Sequence, residues 1–113
     1  MRLLPEEGLL LRIFIGETDK YEGKPLYEQI ILKARELHLA GATATRGIMG
    51  FGADSRMHTA KILRLSEDLP IIIEIVDTKA HLDKLMPFLD ETVEEGLITM
   101  EKVRVVKYRH SDQ

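Results

Sequence analysis

The residues best suited to bind an anion lie in the stretch GATATRGIMGFGADSRMHT, residues 41–59, which has glycines at Gly47, Gly50 and Gly52. Glycine adopts positive φ and lets backbone N–H groups converge on an anion. The pattern therefore fits a phosphate-binding nest. It also fits a tight bend that leaves the strand room for its neighbours, and spacing alone favours the bend. The stretch is neither a GxGxxG motif nor a Walker loop.

Four basic side chains could accompany such a nest. Arg46 and Arg56 flank the glycines, and Lys107 and Arg109 alternate near the end of the chain, so that they share one face of an extended strand. A charge-assisted hydrogen bond to a phosphate contributes about 1.5–3 kcal/mol. A solvated basic C-terminus explains Lys107 and Arg109 equally well, and an exposed loop tip is the simpler explanation of Arg56.

Catalytic and metal-binding patterns are weak. None of the four histidines has an HxH or HxxxH partner, and the chain has no cysteine, so we predict no metal site. No Ser-His-Asp or Cys-His set is evident, although a linear sequence does not reveal spatial triads. Asp54 and His58 are the candidates for activating a water. Glu74 interrupts an apolar strand, and a buried carboxylate there needs a cationic side chain, a ligand hydroxyl or an ion pair at the sheet edge.

The bulk composition is that of one globular domain spanning residues 1–113. The chain is 44% hydrophobic and 31% charged, values that exclude intrinsic disorder. It has no asparagine and only two glutamines, a composition that points to a heat-adapted protein. Without cysteine, a disulfide framework is excluded.

Charge and hydropathy exclude further classes. The net charge of −3 argues against a general binder of nucleic acids or membrane surfaces. Apolar runs such as residues 9–11 and 71–73 are far too short to span a bilayer. The N-terminus lacks a signal-peptide pattern, so we expect a cytoplasmic protein.

Periodicity predicts the elements that must position these residues. A strand over 9–15 has Leu9, Leu11, Ile13 and Ile15 on one face. Further along, the patterns predict a helix from Pro25 to about Leu39 that Gly41 ends, followed by a strand over 42–46. A loop over 47–60 and an extended arm over 61–65 come next, and then a central strand over 71–76. The chain closes with a helix capped by Asp77 or Thr78 and broken at Pro87, and a last strand over 97–108.

This order, β-α-β-β-α-β, predicts an α+β fold, the ferredoxin-like plait, with two helices on one face of an antiparallel sheet. Two right-handed crossovers are expected to place the first and third core strands side by side. We expect these two strands to run parallel. The second sheet face must stay solvated, bind a ligand or meet another subunit. Outward apolar side chains at Leu10, Phe14, Val106 and Tyr108 favour a subunit contact.

Several segments resemble a known family. They are IFIGE at 13–17, GKPLYE at 23–28, RGIMGFG at 46–52, the histidine at 58, SEDLPIIIEIVD at 66–77 and VRVVKYR at 103–109. Together they span nearly the whole chain. The sequence resembles the PII signalling proteins, and more specifically the PII-like proteins of domain of unknown function 190, also called UPF0166.

The resemblance implies a homotrimer with an adenine nucleotide in each cleft between subunits. Gly41, Ala42 and Thr43 match positions that line the adenine, and Glu74, Ile75 and Val76 match the strand that frames it. Gly50, Phe51 and Gly52 match the root of the T-loop, which meets phosphates. Arg46 and Gly47, which precede this turn, belong to the candidate site through the basic and glycine pattern described above. Lys107 and Arg109 match cations that reach phosphates across the interface.

Two departures from the PII pattern concern the phosphates. The lysine-bearing glycine-rich loop of PII proteins is replaced by EEGLITMEK, and Ala53, Asp54 and Ser55 replace residues after the glycine turn. We therefore expect AMP, ADP or a cyclic nucleotide rather than ATP. Because no catalytic constellation is recognised, we also expect no enzyme activity, and we expect no metal cofactor. The resemblance implies a regulated protein partner, with a membrane transporter as one candidate. A small nucleotide hydrolase and a metal-binding trimer on the same fold are the alternatives.

Overall fold

The computed structural model describes residues 4–52, 57–59 and 68–109, and for Met57–Thr59 only the backbone. Its elements in chain order are β1 Glu7–Gly16, β2 Lys20–Tyr21, β3 Lys24–Pro25, α1 Leu26–Glu36, β4 Thr43–Arg46, β5 Met49–Phe51, β6 Met57–Thr59, β7 Pro70–Asp77, α2 Lys79–Leu82, α3 Met86–Thr92 and β8 Leu97–Arg104. In the part of the chain that is described, no helix is long and apolar enough to cross a bilayer.

A four-stranded sheet in the order β4-β7-β1-β8 forms the centre of the molecule. All three neighbouring pairs are antiparallel, so the α+β plait is confirmed. The expectation that the first and third core strands run parallel was wrong. The helical crossover after β1 makes β4 parallel to β1. The chain then reverses its direction between β4 and β7, so β7, the third core strand, runs antiparallel to β1.

The core lies between one face of the sheet and the helices. Alternate residues of β1 and β7 point into it, as the period of two predicted. The fully or nearly buried side chains are Leu11, Ile13, Ile15, Ile71, Ile73 and Ile75 from the sheet and Leu26, Ile30, Ala34, Leu82, Leu85 and Leu89 from the helical side. The intervening residues of both strands are only half-buried. The sheet therefore has one covered face and one open face.

Helix α1 ends earlier than predicted, and Gly41 does not end it. His38 adopts a positive φ of 60°. Its N–H donates to the carbonyl of Arg35, and the N–H of Leu39 donates to the carbonyl of Ala34. These two bonds form a Schellman motif, in which His38 takes the position usually held by glycine. Gly41 is thereby placed in the connection that leads into β4.

The second helical segment is divided, as Pro87 predicted. Thr78 caps α2, its side chain accepting the N–H of His81, which confirms one of the two expected caps. Pro87 lies in the first turn of α3, where its missing N–H costs no helical hydrogen bond. The helix therefore restarts at that point.

The last strand and the glycine turn differ from their predicted forms. β8 stops at Arg104, opposite Glu7, the first residue of β1. Residues 47–60 were predicted as a loop, but β5 and β6 form a short antiparallel pair with Gly50 opposite His58. The predicted arm at 61–65, together with Asp54, Ser55 and Arg56, lies outside the described residues.

Candidate functional site

A groove of about 770 Å³ opens where the first residues of β4, the last residues of β7 and the C-terminal end of β8 meet. The segment 105–108, which follows β8, forms one wall. The residues lining the groove are Leu4, Leu10, Ala40, Gly41, Ala42, Thr43, Glu74, Val76, Val103, Arg104, Val105, Val106, Lys107 and Tyr108. Of the predicted site, it gathers Gly41, Ala42, Thr43, Glu74, Val76 and Lys107.

Two hydrogen bonds connect the walls of this groove. The carboxylate of Asp77, only 1% exposed, accepts the N–H of Ala40 at 2.9 Å through Oδ2. The Tyr108 hydroxyl donates to the carbonyl of Ala40 at 3.0 Å. The connection before β4 is therefore hydrogen-bonded both to the end of β7 and to the C-terminal segment.

Glu74 is engaged on the open face of the sheet. Its Oε2 accepts from Arg12 Nε at 2.8 Å, and Arg12 Nη1 also donates to Glu101 Oε1 at 2.9 Å. The pKa of Arg12 is raised above its usual value, chiefly because Glu74 accepts its hydrogen bond, with a further contribution from the charge of Glu101. The partner expected for Glu74 is thus Arg12, and the pair lies across the middle strands rather than at a sheet edge.

Two exposed cations line the groove, Lys107 and Arg104. Arg104 is paired with Glu6, with Nε and Oε1 2.9 Å apart. Arg109 is exposed and is not among the lining residues.

Arg46 and the glycine turn lie at the far end of β4, away from the groove. Arg46 Nη1 forms an ion pair with Glu17 Oε2 at 2.7 Å. The N–H of Gly47 donates to the carbonyl of Pro70 at 2.7 Å, so it is not directed at an anion. Side chains at Gly47 and Gly50 would meet the ring of Pro70 at 2.8 and 3.0 Å.

These contacts explain Gly47 and Gly50 by a close approach to β7. None of Gly47, Gly50 and Gly52 has a positive φ. The side chain of Ile75 is 1% exposed and packs in the core, so it faces away from the groove. Phe51 is exposed, together with Ile48 and Met49.

Sequence patterns did not point to Asp77 or Tyr108 as parts of the site. Asp77 was predicted as a helix cap and Tyr108 as a subunit contact. One signal was present for Asp77, since a carboxylate that ends a strand as apolar as β7 needs hydrogen-bond donors nearby. Its pairing with Ala40 joins residues 37 positions apart, a contact that no local pattern encodes.

Among residues 4–52 and 68–109, no three His, Asp or Glu side chains are placed to hold a metal ion. Asp54 lies outside the described residues, and His58 is described only by its backbone. The alternatives that depend on these two residues stay predictions.

A family model described as "Uncharacterized ACR", domain of unknown function 190, matches residues 8–105. The chain belongs to this family. A UPF0166 protein of Aquifex aeolicus is 39% identical over 99 residues, covering 86% of this chain and 91% of the relative. A UPF0166 protein of Methanocaldococcus jannaschii is 35% identical over 99 residues, covering 87% and 91%. The resemblance inferred from the sequence is confirmed.

Solved structures show that this UPF0166 family member has the PII-like fold. The PII-like protein CPII of Thiomonas intermedia K12, solved with ADP, AMP and bicarbonate, superposes with a TM-score of 0.62 at 14% identity, covering 89% of this chain and 90% of CPII. A PII-like protein of Thermus thermophilus gives a TM-score of 0.62 at 16% identity, covering 88% and 90%.

Proposed function

We propose that the protein is a PII-like regulator that binds an adenine nucleotide in the groove between β4, β7 and the C-terminal segment. The observation that carries this proposal is the groove itself. At about 770 Å³ it falls in the size range of small-molecule sites. CPII, which shares the fold, was solved with ADP and AMP.

The composition of the walls suits a base and a short phosphate chain. Val76, Val103 and Leu10 supply apolar contact for a flat ring, and the backbone of 41–43 supplies polar groups at the edge of the sheet. Lys107 supplies a positive charge. Because Arg104 is paired with Glu6 and Arg46 with Glu17, one or two phosphates match the available charge better than three. This favours AMP or ADP over ATP.

The open face of the sheet supports assembly into a homotrimer. Leu10, Phe14, Ile72 and Val76 lie on this face, half-buried in the single chain. An apolar surface of this kind is typical of a protein interface. A neighbouring subunit packed here would close the groove and bring further cations to it, among them Arg109 of that subunit's own C-terminal segment.

Regulation would act through the segment 47–60 and a protein partner. Its described part exposes three large apolar side chains, with Ile48 79% accessible. Exposed apolar clusters mark contact sites. A nucleotide can switch this segment only if it binds the two loop states with different affinity. A membrane transporter is one candidate for the partner.

Calorimetric titration of the purified protein with AMP, ADP, ATP and cyclic AMP tests this proposal. We expect one site per chain and tighter binding of AMP or ADP than of ATP. Absence of heat with all four nucleotides, confirmed by equilibrium dialysis, would overturn the nucleotide proposal. Monitoring the same mixtures for product would reveal turnover, which a purely regulatory site does not give.

A further inference from the structure

We infer that the C-terminal segment 105–109 is a strap across the groove, and that the hydrogen bond from Tyr108 to Ala40 is the latch that holds it closed. The inference rests on the proposed function for the identity of the ligand. The latch itself rests on contacts within this chain.

The path of the strap follows from the strand order. β8 is one edge of the sheet and β4 is the other, with β1 and β7 between them. Three intervals of about 4.8 Å separate the two edges, a span of about 14 Å. Four extended residues, from Arg104 to Tyr108, cover about the same distance. The strap therefore runs across the ends of the middle strands, and residues from both edges line the groove beneath it.

The strap is held near its two ends and exposed between them. At its start, the N–H of Val105 donates to the carbonyl of Glu6, and Arg104 pairs with the Glu6 carboxylate. Near its end, the Tyr108 hydroxyl donates to Ala40. Val106 between them is 87% exposed. A segment with few buried apolar contacts opens locally at low free-energy cost, so the contact at Tyr108 governs how often the strap is closed.

The receiving end of the latch is rigid. Asp77 Oδ2 accepts the N–H of Ala40, and Asp77 Oδ1 accepts the N–H of Thr78 at 2.7 Å. His81 Nδ1 lies 3.8 Å from the same carboxylate. Because Asp77 ends the central strand β7, it fixes the Ala40 carbonyl relative to the sheet. Asp77 and Tyr108 are therefore positioning residues, which act on a ligand through Ala40 and the strap.

The test replaces Tyr108 by phenylalanine, which removes only the hydroxyl. The matched control is Tyr21→Phe, since Tyr21 also donates one hydrogen bond, to Glu91 at 2.7 Å, but packs against Phe88 of α3 and does not line the groove. The rate of trypsin cleavage after Lys107, which lies in the exposed middle of the strap, and the dissociation rate of AMP are measured for the wild type and both variants.

We expect Tyr108→Phe to accelerate cleavage after Lys107 and to raise the AMP dissociation rate about five-fold, the factor that corresponds to one neutral hydrogen bond. The association rate should not fall, and Tyr21→Phe should change neither quantity. Asp77→Asn, which cannot accept both backbone N–H groups, should act in the same direction.

An unchanged rate of cleavage after Lys107 in Tyr108→Phe would overturn the latch. Faster cleavage with an unchanged AMP dissociation rate would overturn its role in holding the ligand. If the wild type binds no nucleotide, the proposed function fails, and the cleavage measurement alone decides whether the latch exists.

Discussion

Arg12 Nε donates to Glu74 Oε2 over 2.8 Å on the face of the sheet that the helices leave uncovered. With its bond to Glu101, the guanidinium joins strands β7, β1 and β8. The Arg12 and Glu74 side chains remain 39% and 44% exposed in the single chain. Exposed ion pairs of this kind contribute less than about 1 kcal/mol to stability. The network therefore contributes more only where another surface covers it.

The first prediction concerns this network and assembly. Arg12→Ala leaves Glu74 and Glu101 without their cation, and burying two unpaired carboxylates between subunits is costly. We expect the variant to be monomeric under conditions where the wild type forms the proposed trimer, as measured by analytical ultracentrifugation. Lys79→Ala, which breaks the exposed pair with Asp83, is the control and should stay trimeric. A trimeric Arg12→Ala variant would exclude the open face as the interface.

The second prediction concerns the glycine turn. A Cβ at Gly47 would lie 2.8 Å from Cγ of Pro70, whereas a Cβ at Gly52 would meet none of the described atoms within 4 Å. Gly47→Ala must therefore displace the proline ring, and we expect it to lower the free energy of unfolding by about 1–3 kcal/mol. Gly52→Ala should be close to neutral. Urea denaturation of the two variants gives the comparison, and equal stabilities would show that contact with Pro70 is not why glycine is needed.

The third prediction concerns the phosphate end of the groove. Lys107→Ala removes one of the two exposed cations that line the groove, and we expect it to weaken AMP binding roughly 10-fold or more, the loss of one charge-assisted hydrogen bond. Arg109→Ala should weaken binding if that residue reaches the site across the subunit interface. Lys102→Ala, an exposed position on β8 that does not line the groove, controls for net charge. If a variant binds AMP with the wild-type affinity in calorimetry, the substituted residue does not belong to the site.

The fourth prediction concerns pH. Burial raises the pKa of Asp19 above its usual value; the N–H of Gly16 acts in the opposite direction, and the charge of Asp68 adds to the rise. The folded protein thus holds this proton more tightly than the unfolded chain does, and the associated stability is lost as pH rises through the folded-state pKa.

Asp19→Asn removes that titration, so its stability relative to the wild type should increase as pH rises from about 3 to about 7. The measurement is chemical denaturation at several pH values, with Asp90→Asn on the exposed side of α3 as control. A stability difference that is constant across this range, or that reverses, would contradict the assignment.

Local patterns predicted most of the framework. The alternation in β1 and β7, the apolar spacing in α1 and the restart at Pro87 each depend on residues close in sequence, and each was confirmed. β8 instead ends opposite the first residue of its partner β1. The end of α1 depends on His38 adopting a positive φ. Conformational propensity favours glycine for that position, so the sequence pattern pointed to Gly41 instead.

The site was predictable only in part, for the same reason. Gly41, Ala42 and Thr43 were named through the family resemblance, and they line the groove. The contacts that shape it are long-range, since Tyr108 and Ala40 are 68 residues apart and Arg46 and Glu17 are 29 apart. The ion pair with Glu17 holds Arg46 at the end of β4 that lies away from the groove. The spacing of the glycines did not indicate this position.

A crystal structure of the protein grown with AMP tests the central claim most directly. We predict one nucleotide per chain in the groove, with the base against 41–43 and Val76, the phosphate near Lys107, and a second subunit closing the open side. AMP bound elsewhere on the chain, or a groove that stays free of nucleotide at concentrations that saturate binding in solution, would contradict this account.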